Sequence, residues 1–356
     1  WTTTTAPSSS MFGSRITLLL LVMILAEICW MFLGDGGGGS KIPQLNLSVV
    51  QQPSDVECES TSSVKSNAVT DVAKTRPPPL SKVGLCALTK DSERYLDEWV
   101  DYNLFAIEFH EIYLYDNSDD FYLEEWAEKR EKEHPGRLHI HHYPGRNMQQ
   151  KIYNNCTATY GDRVDYMAYF DDDEFFHAYK YTRVGDFVPN HLVNGSSLTV
   201  NWRIMGTSNH THYFPLPVTK RYTYRNVTDV TVKSFARPQD FSRMLNPHAV
   251  MMQGLSKETM NQGWRDTSGN IGNFNGPGSK NSNPRDDVAV LYHYKYKSNR
   301  EWDDKSCNRM NPGKRANISC GEVPMVGHIF DDTVWQVLRK RVPHKYGPLD
   351  EWIDFA

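Results

Sequence analysis

The chain has no long block of Lys or Arg and no internal repeat, and its formal net charge is −4. Nucleic acids are bound by clustered basic side chains that neutralise phosphates. The missing basic block therefore argues against nucleic acid as a partner and leaves a small molecule or another protein as the expected substrate. Hydrophobic residues make up 39% of the 356 residues and aromatic residues 12%, which supports a substantial core and excludes disorder throughout.

Methionine is absent from position 1 and first occurs as Met11, so residues 1–15 are interpreted as an extension or a short cytosolic segment. Residues 16–34 contain the run ITLLLLVMILAEICWMFL, in which only Thr17 and Glu27 are polar. A helix of this length spans roughly 27 Å, close to the thickness of a thin bilayer. No clear small-x-small cleavage site follows. A transmembrane signal anchor is therefore favoured over a cleaved signal peptide or a buried core helix.

Arg15 comes directly before the apolar run. Because positive charge favours the cytosolic side, the rest of the chain is expected in the lumen. This predicts a single-pass type II protein of the Golgi or of another secretory-pathway membrane. Six Asn-x-Ser/Thr triplets on the lumenal side fit a glycoprotein of that route: Asn46, Asn155, Asn194, Asn209, Asn226 and Asn317.

Cysteines are few, six in the whole chain. Cys307 and Cys320 flank a loop rich in Gly, Pro and Asn, which predicts a local disulfide. Cys86 lies in an apolar strand pattern and is expected to be a buried free thiol. Cys58 precedes the folded region, and pairing through it would make a homodimer, which is one alternative.

Domain organisation follows the composition. Residues 35–80 are rich in Gly, Pro, Ser and Thr and poor in periodic apolar positions, which is typical of a flexible stem. Residues 81–346 are interpreted as a single α/β domain, and residues 347–356 as a C-terminal tail. The segments VGLCAL, DSERYLDEWVDYNLF and HEIYLYDN read as strand, helix and strand, a unit that implies a parallel sheet.

Further segments continue this alternation. YLEEWAEKREKEH and NMQQKIYNNCTATYG have helical patterns, while RLHIHHY and DYMAYF have strand patterns. Later strands are predicted in LTVNWRIMG and VAVLYHYKYKS, and a last helix in DDTVWQVLRKR. The predicted fold class is α/β, with a Rossmann-like, mostly parallel sheet flanked by helices.

Four consecutive carboxylates, Asp171, Asp172, Asp173 and Glu174, directly follow the predicted strand DYMAYF. In open α/β sheets, ligands bind at the carboxyl ends of the strands. In an extended chain Asp171 and Asp173 share a face, where they repel each other unless a cation or hydrogen-bond donors neutralise them. A divalent metal site is the favoured interpretation. The alternative is an acidic turn with no ligand.

Several motifs occur in a fixed order between Lys82 and Lys305: KVGLCALTKDSERYLDEWVDYN, EIYLYDNSDD, YFDDDEFF, NWRIMGTSNH, VKSFARP and YHYKYKSNREWDDK. Together they resemble the GT-A fold glycosyltransferases, most of all those of family 92 and their family 2 relatives. Those proteins carry a Leu-x-Glu-Trp helix, a Tyr-Asp-Asn strand end, an Asp-x-Asp-Glu-Phe motif and a late His-Tyr. The resemblance implies a GT-A type catalytic domain behind the membrane anchor.

The resemblance also implies roles for individual residues. Asp171, Asp173 and His293 match the ligands that hold Mn²⁺ or Mg²⁺ on the diphosphate of a nucleotide sugar. The implied donor-binding residues are Lys90, Asp116, Asn117, Arg146, Gln150, Asp172, Glu174 and Lys297. The implied sugar or acceptor residues are Trp202, Gly206, Thr207 and Ser208. The alternatives are structural: a strand histidine at 293, an Asx turn at 116–117, a lone surface lysine at 90, and a strand followed by a turn at 202–208.

A general base is harder to identify. Asp266, Asp286 and Asp287 lie in a polar segment where an acceptor loop is expected, and each is a candidate to take the proton of the acceptor hydroxyl. A second cluster, at positions 139, 141 and 142, holds three histidines. Only two of them share a strand face, so zinc binding there is disfavoured.

The sequence thus predicts a metal-dependent glycosyltransferase that uses a nucleotide sugar, a UDP-sugar with galactose as the favoured donor, and a glycan, glycoprotein or glycolipid acceptor. Two alternatives stay open. One is a non-catalytic lumenal module that binds carbohydrate or cations. The other is a metal-dependent phosphohydrolase of nucleoside diphosphates, which would share the metal site.

Overall fold

The structure is a computed structural model that describes residues 80–309 and 324–348. The predicted membrane anchor, nearly all of the stem and Cys320 lie outside these residues, so the predictions made for them stay predictions. None of the helices in the described ranges could span a bilayer.

The first half of the domain alternates strands with helices, as its periodicity predicted. Short, mostly apolar runs form the strands, and apolar residues at helical spacing form the helices between them. The elements are β1 (Val83–Thr89), α1 (Glu93–Asp101), β2 (Glu111–Asp116), α2 (Glu124–Glu133), β3 (Leu138–His142), α3 (Gln149–Tyr160) and β4 (Tyr166–Asp171).

The second half is richer in short strands. In chain order its elements are β5 (Glu174–Ala178), α4 (Val184–His191), β6 (Ser197–Ile204), α5 (Val218–Arg221), β7 (Tyr224–Arg225), β8 (Val232–Ala236), β9 (Phe241–Asn246), β10 (Ala249–Met252), β11 (Trp264–Arg265), β12 (Phe274–Asn275), β13 (Lys280–Asn281), β14 (Ala289–His293), α6 (Asn299–Asp303), β15 (Ile329–Phe330), α7 (Thr333–Arg341) and α8 (Pro343–Tyr346).

One nine-stranded sheet organises the domain, in the order β3-β2-β1-β4-β8-β6-β14-β5, with β11 also paired to β6. β3, β2, β1 and β4 are parallel neighbours, as the strand-helix-strand pattern predicted. β8 is antiparallel to both β4 and β6, and β5 is antiparallel to β14. The predicted α/β architecture is confirmed, but the sheet as a whole is mixed. A parallel crossover needs about a dozen residues, and the two residues between β4 and β5 cannot supply it.

The sheet is strongly curled. β4 and β5 are joined by two residues, yet β8, β6 and β14 lie between them in the strand order. Four strand spacings in a flat sheet amount to roughly 19 Å. The three Cα steps from Asp171 to Glu174 reach at most about 11 Å. The sheet must therefore bend back on itself, which carries β14 and β5 to the end of β4.

Both faces of the parallel half are buried, which explains why its strands read as nearly continuous apolar runs. One face packs Leu85 and Phe170 against Leu96 and Trp99 of α1. The opposite face packs Tyr113 and Tyr169 against Ile152 and Tyr153 of α3.

The expectation of a free thiol at Cys86 is wrong. Cys86 of β1 forms a disulfide with Cys156 of α3, and the two Cα atoms lie 6.3 Å apart. Both residues are fully buried on the same face of the sheet, so the apolar pattern around Cys86 gave no sign of a partner 70 residues away. Cys307 is disulfide-bonded as well. Since Cys320 is not described, the pairing of Cys307 with Cys320 stays a prediction.

Candidate functional site

The acidic run lies where the central strand β4 ends. β4 stops at Asp171 and β5 begins at Glu174, so Asp172 and Asp173 form the turn between them. β14 pairs with β5 and sets His293 directly opposite Glu174. The curl of the sheet thus brings the end of β14 to the carboxyl end of the parallel strands.

A pocket of about 460 Å³ opens at this place. Three aspartates of the acidic run line it together with four lysines, two histidines and one tryptophan: Asp171, Asp172, Asp173, Lys90, Lys295, Lys297, Lys305, His248, His293 and Trp202. The pocket therefore joins side chains from the parallel half of the sheet to side chains from its curled, antiparallel half.

Asp171 is held by a buried cation. Because β8 runs antiparallel to β4, Lys233 at its start reaches the end of β4, and its Nζ lies 2.7 Å from Oδ1 of Asp171. Tyr153 donates a hydrogen bond of 3.0 Å to the same oxygen, and the amide of Gln149 donates to it as well. Burial alone would raise the pKa of Asp171, but the Lys233 ammonium outweighs it, and the pKa lies below its usual range.

Asp173 is also paired with cations. Lys305 Nζ lies 2.8 Å from Oδ2, Lys297 Nζ 4.0 Å from the same oxygen, and His293 Nε2 3.2 Å from Oδ1. Against the effect of burial, Lys305 and His293 hold the pKa of Asp173 well below its usual range. Burial lowers the pKa of His293. Asp173 is thus the anionic centre of a cluster of basic side chains.

Asp172 and Glu174 differ from their neighbours. The Thr89 hydroxyl donates to Asp172 at 2.6 Å, while burial and then the nearby charge of Asp173 raise the pKa of Asp172 to about 6. Glu174 is fully buried, and its Oε2 accepts the backbone N–H of Asp171 at 2.8 Å. Burial raises the pKa of Glu174 well above its usual range. Glu174 therefore supports the backbone of the run from behind.

The predicted metal ligands fit a divalent cation in chemistry. Asp171, Asp173 and His293 offer two oxygen donors and one nitrogen donor, which suits Mn²⁺. Asp173 and His293 already face each other, whereas Oδ1 of Asp171 is directed to Lys233. In the part of the chain that the structure describes, no three His, Cys, Asp or Glu side chains converge as a metal site. Lysines compensate the carboxylates in this arrangement.

Some of the predicted donor-binding residues line the pocket, and others do not. Lys90 and Lys297 line the pocket beside the acidic run. Asp116 is buried and accepts the N–H of Ser118 at 2.9 Å, and Asn117 donates to the carbonyl of Tyr143 at 2.7 Å. These two residues form an Asx turn, which was the structural alternative to donor binding, and they anchor the loop after β3.

Two other predicted donor contacts lie away from the pocket lining. Arg146 is exposed on the loop before α3. Gln150 donates from its amide to the carbonyl of Met244 on β9, at 2.6 Å. Its neighbour Gln149 is the glutamine that lines the pocket. On a helix, adjacent residues point about 100° apart, so a difference of one position decides which glutamine faces the site.

The predicted sugar or acceptor residues are also divided. Trp202 lines the pocket and packs against His293, with ring centroids 4.3 Å apart. Gly206 lies against the backbone of Val326, where an added Cβ would meet the carbonyl oxygen. Thr207 and Ser208 donate their backbone N–H groups to residues 325 and 326. Residues 206–208 therefore hold a neighbouring segment and are absent from the pocket lining.

The three candidate bases all have structural partners. Asp266 accepts the backbone N–H groups of Ser268 and Asn270 and closes a turn. Asp286 pairs with Arg203 at 2.8 Å. Asp287 forms two bonds with the guanidinium of Arg285. None of the three lines the pocket described above.

The histidine cluster on β3 is engaged in local contacts. His139 lies 3.0 Å from a carboxylate oxygen of Glu111, and His142 lies 3.0 Å from the carbonyl of Ser118. The ring of His141 contacts the hydroxyl of Tyr160. These partners account for the histidines without a metal.

Several pocket residues were not predicted from the sequence: Leu88, Ser92, Gln149, Pro247, His248, Lys295 and Lys305, as well as Lys233 behind the pocket. A signal existed for some of them. Lys295 and Lys305 belong to the YHYKYKSNREWDDK segment, whose lysines alternate with aromatic residues. Lys233 and His248 come from an antiparallel strand and a hairpin that the periodicity did not resolve.

Comparison with known proteins adds two curated relatives. No protein-family model matches the chain. A glycosyltransferase family 92 protein of Ricinus communis is 24% identical over 164 residues, covering 45% of this chain and 29% of the relative. A glycosyltransferase family 92 protein of Oryza sativa subsp. japonica is 24% identical over 190 residues, covering 50% of this chain and 31% of the relative. The predicted resemblance to family 92 glycosyltransferases is confirmed.

These matches leave most of each relative unaligned, since the chain spans less than a third of the length of either protein. Among solved structures, the alignment with residues 1–349 of TarS from S. aureus covers 75% of this chain and 72% of the TarS chain. The identity is 14% and the TM-score is 0.32. This overlap is too loose to bear on fold or function. The sequence relatives support a glycosyltransferase, and its substrates have to be argued from the site.

Proposed function

We propose that the protein is a glycosyltransferase that transfers a sugar from a nucleotide sugar to a glycan or glycoconjugate acceptor. The observation that carries this proposal is the pocket at the end of β4, where the Asp171–Asp173 run meets a ring of basic side chains. Ligands of open α/β sheets bind at this edge. The resemblance to family 92 glycosyltransferases supports the same site.

The charges of the pocket suit a diphosphate. Four lysines and three aspartates line it, so its formal charge is +1 before any contribution from the histidines. A nucleoside diphosphate brings several negative charges, which Lys90, Lys295, Lys297 and Lys305 can neutralise. Cations placed where charge develops on the leaving diphosphate stabilise the transition state. The lysines would thus favour cleavage of the bond between sugar and diphosphate.

A divalent cation, Mn²⁺ or Mg²⁺, is part of the proposal. Asp173, His293 and Asp171 would hold it, and Lys305 would then shift its contact from the Asp173 carboxylate to phosphate. The cation would supply Lewis-acid stabilisation of the departing diphosphate. The aromatic face of Trp202 would border the sugar. UDP-galactose is the first donor to test.

The proposal extends to the cellular setting. The apolar run at residues 16–34 would anchor the protein as a type II membrane protein of the Golgi or of another secretory compartment. The catalytic domain would then face the lumen, where sugars are transferred to secreted and membrane glycoconjugates. The buried Cys86–Cys156 disulfide supports an oxidising compartment.

A donor panel tests the proposed function. The chain from residue 81 onward, which contains the predicted catalytic domain, is incubated with Mn²⁺, a set of UDP- and GDP-sugars and a set of p-nitrophenyl glycosides, and release of nucleoside diphosphate is measured. We expect turnover with one donor that depends on an acceptor, falls with EDTA, and drops at least about 100-fold in Asp171→Asn and Asp173→Asn. Asp186→Asn, which removes an ion pair with Arg183 outside the pocket, is the matched control.

Other outcomes identify the alternatives. Equal release with and without every acceptor would indicate a phosphohydrolase. Binding of nucleotide sugar without any release would indicate a non-catalytic module. Either result would contradict the proposed transferase.

A further inference from the structure

His248 reaches the pocket from the tip of the β9-β10 hairpin. Asn246 ends β9, and its side-chain oxygen accepts the backbone N–H of His248 at 2.8 Å, which fixes the turn. Pro247 and His248 then line the pocket beside Trp202. The hairpin itself is held on α3, because Met244 donates its N–H to the side chain of Asn154 at 2.8 Å.

The protonation of the His248 ring follows from its partner. Nδ1 lies 2.9 Å from the carbonyl oxygen of Val232. A carbonyl oxygen can only accept, so Nδ1 must carry a proton. Burial, and then the charge of Lys233, lower the pKa of His248 to about 4, which keeps the ring neutral near pH 7. A neutral ring with its proton on Nδ1 has a lone pair on Nε2.

This lone pair has no hydrogen-bond partner among the residues that the structure describes, and Nε2 does not belong to the fully buried unpaired atoms. Trp202 packs edge-on against the His248 ring at a centroid distance of 5.3 Å, and its ring also contacts His293. The indole thus contacts both the ring of the proposed metal ligand His293 and the ring of His248. An acceptor hydroxyl beside Trp202 would find Nε2 within reach.

We propose that His248 is the general base of the sugar transfer, a role that rests on the proposed function and deepens it. The acceptor hydroxyl oxygen attacks the anomeric carbon of the donor sugar and forms the new glycosidic bond. The bond from that carbon to the diphosphate oxygen breaks, and its electron pair leaves with the nucleoside diphosphate. The hydroxyl proton passes to Nε2, so His248 becomes an imidazolium and later returns the proton to solvent. Attack opposite the leaving group inverts the anomeric carbon.

Elimination supports the same residue. Asp171 and Asp173 pair with Lys233 and Lys305 and belong to the proposed metal ligands, while Asp172 accepts the Thr89 hydroxyl. The candidates at 266, 286 and 287 hold a turn or arginines outside the pocket. His248 presents to the pocket a neutral acceptor nitrogen that has no hydrogen-bond partner among the described residues.

The basicity of His248 is adequate for this task. A pKa of about 4 equals that of an ordinary carboxylate, roughly 4. Carboxylates serve as general bases for hydroxyl groups whose proton becomes acidic only as the new bond forms. The imidazolium formed in the step would also lie near the newly released, negatively charged diphosphate, which stabilises it.

His248→Asn tests the inference. Its amide can still donate to the Val232 carbonyl, so the hairpin keeps its bond while the basic nitrogen is lost. His248→Gln is a second variant, in case the first disturbs the turn. The control is His191→Asn, because Nδ1 of His191 also lies 2.9 Å from a backbone carbonyl, that of Thr267, outside the pocket.

The parent and the variants are compared in kcat for the donor and acceptor that the panel identifies, in KM for the donor, and in the Kd of UDP by calorimetry. We expect kcat to fall about 100- to 10,000-fold in both His248 variants, with KM and the UDP Kd within about threefold of the parent. The His191 variant should keep the parent kcat. Unchanged thermal unfolding shows that the variants are folded.

Three outcomes overturn the inference in distinguishable ways. If the parent transfers sugar and a folded His248 variant keeps its kcat within about threefold, only the general-base role fails. If the parent transfers no sugar from any donor, the proposed function fails first and the role of His248 with it. Retention of the anomeric configuration in the product would likewise contradict a single displacement with His248 as base.

Discussion

Lys233 is a fully buried cation behind the pocket. Its ammonium lies 2.7 Å from Asp171 and 3.6 Å from Glu174, and Tyr153 presents its ring face at 5.8 Å. Removing one member of a buried ion pair leaves the other charge without compensation, which is more costly than losing an exposed pair. Lys233 is therefore expected to determine whether Asp171 can remain ionised in its buried position.

Lys233→Met should lower the free energy of unfolding by about 3–5 kcal/mol, measured by urea denaturation at pH 7. The double variant Lys233→Met/Asp171→Asn should recover part of this loss, because the unpaired charge is removed. Lys132→Met is the control, since its pair with Glu128 is exposed and is expected to contribute less than about 1 kcal/mol. A loss below about 1 kcal/mol for Lys233→Met would contradict the view that Lys233 compensates the buried charge of Asp171.

Part of the site could be predicted at the level of residues. The run Asp171–Glu174 follows an apolar strand pattern, so its position at a sheet edge was deducible. The lysines that pair with it were not, because Lys233 and Lys305 are remote in sequence and become neighbours only through the antiparallel strands and the curl. A cation was inferred from repulsion between the carboxylates, and in the structure lysine side chains relieve that repulsion.

Glu301 joins three helices. It lies at the start of α6, where Ser298 forms a capping box with it, and its carboxylate accepts from Tyr95 of α1 and from Tyr222 after α5. Burial would raise the pKa of Glu301, but Arg221, 3.3 Å away, and these hydrogen bonds lower it to about 2. The three helices are thus tied together by one ionised carboxylate.

The pH dependence of stability tests this link. A carboxylate whose pKa is lowered on folding stabilises the protein above its unfolded pKa of about 4.3 and loses that contribution as the pH falls toward 2. Glu301→Gln should therefore be less stable than the parent by about 2 kcal/mol at pH 6, and the gap should shrink from about pH 4.5 to pH 3. The measurement is urea denaturation across this range. A difference in the free energy of unfolding that does not change with pH would contradict the role of the ionised Glu301. The control Glu128→Gln should be as stable as the parent.

The Cys86–Cys156 disulfide fastens α3 to β1 across 70 residues of chain. Cys86→Ala/Cys156→Ala should lower the free energy of unfolding by about 2–4 kcal/mol, measured by denaturation under oxidising conditions. Reduction of the parent should bring it toward the variant. Equal stability of the oxidised parent and the variant would contradict a structural role for this bond.

The elements show which patterns were informative. β1 to β4 and the helices between them were predictable. Apolar runs and apolar residues at helical spacing leave few alternative secondary structures. β5, β8 and the β9-β10 hairpin were missed. FSRMLNPHAVMM mixes charged and apolar residues, and its pairing depends on contacts with α3 and β8 that no local pattern encodes. The missed hairpin is the one that carries His248.

For the whole molecule, the property to test is the cellular compartment in which the domain lies. The secretory route is proposed from the apolar run, the disulfide and the sequons. Asn194 and Asn209 are exposed in the structure, and both can carry a glycan without disturbing the core. The chain expressed in mammalian cells should therefore lose apparent mass on treatment with PNGase F, and Asn194→Gln/Asn209→Gln should reduce the shift. An untreated mobility equal to the treated one would contradict the lumenal assignment.

The central claim is that sugar transfer takes place in the pocket at the end of β4. The most direct measurement is the mass of the acceptor after incubation with a UDP-sugar and Mn²⁺, read by mass spectrometry for the parent, Asp173→Asn and the control Asp186→Asn. We expect one added sugar with the parent and the control, and at least about 100-fold less product with Asp173→Asn. Equal product from all three proteins, or no product from the parent with any donor, would contradict it.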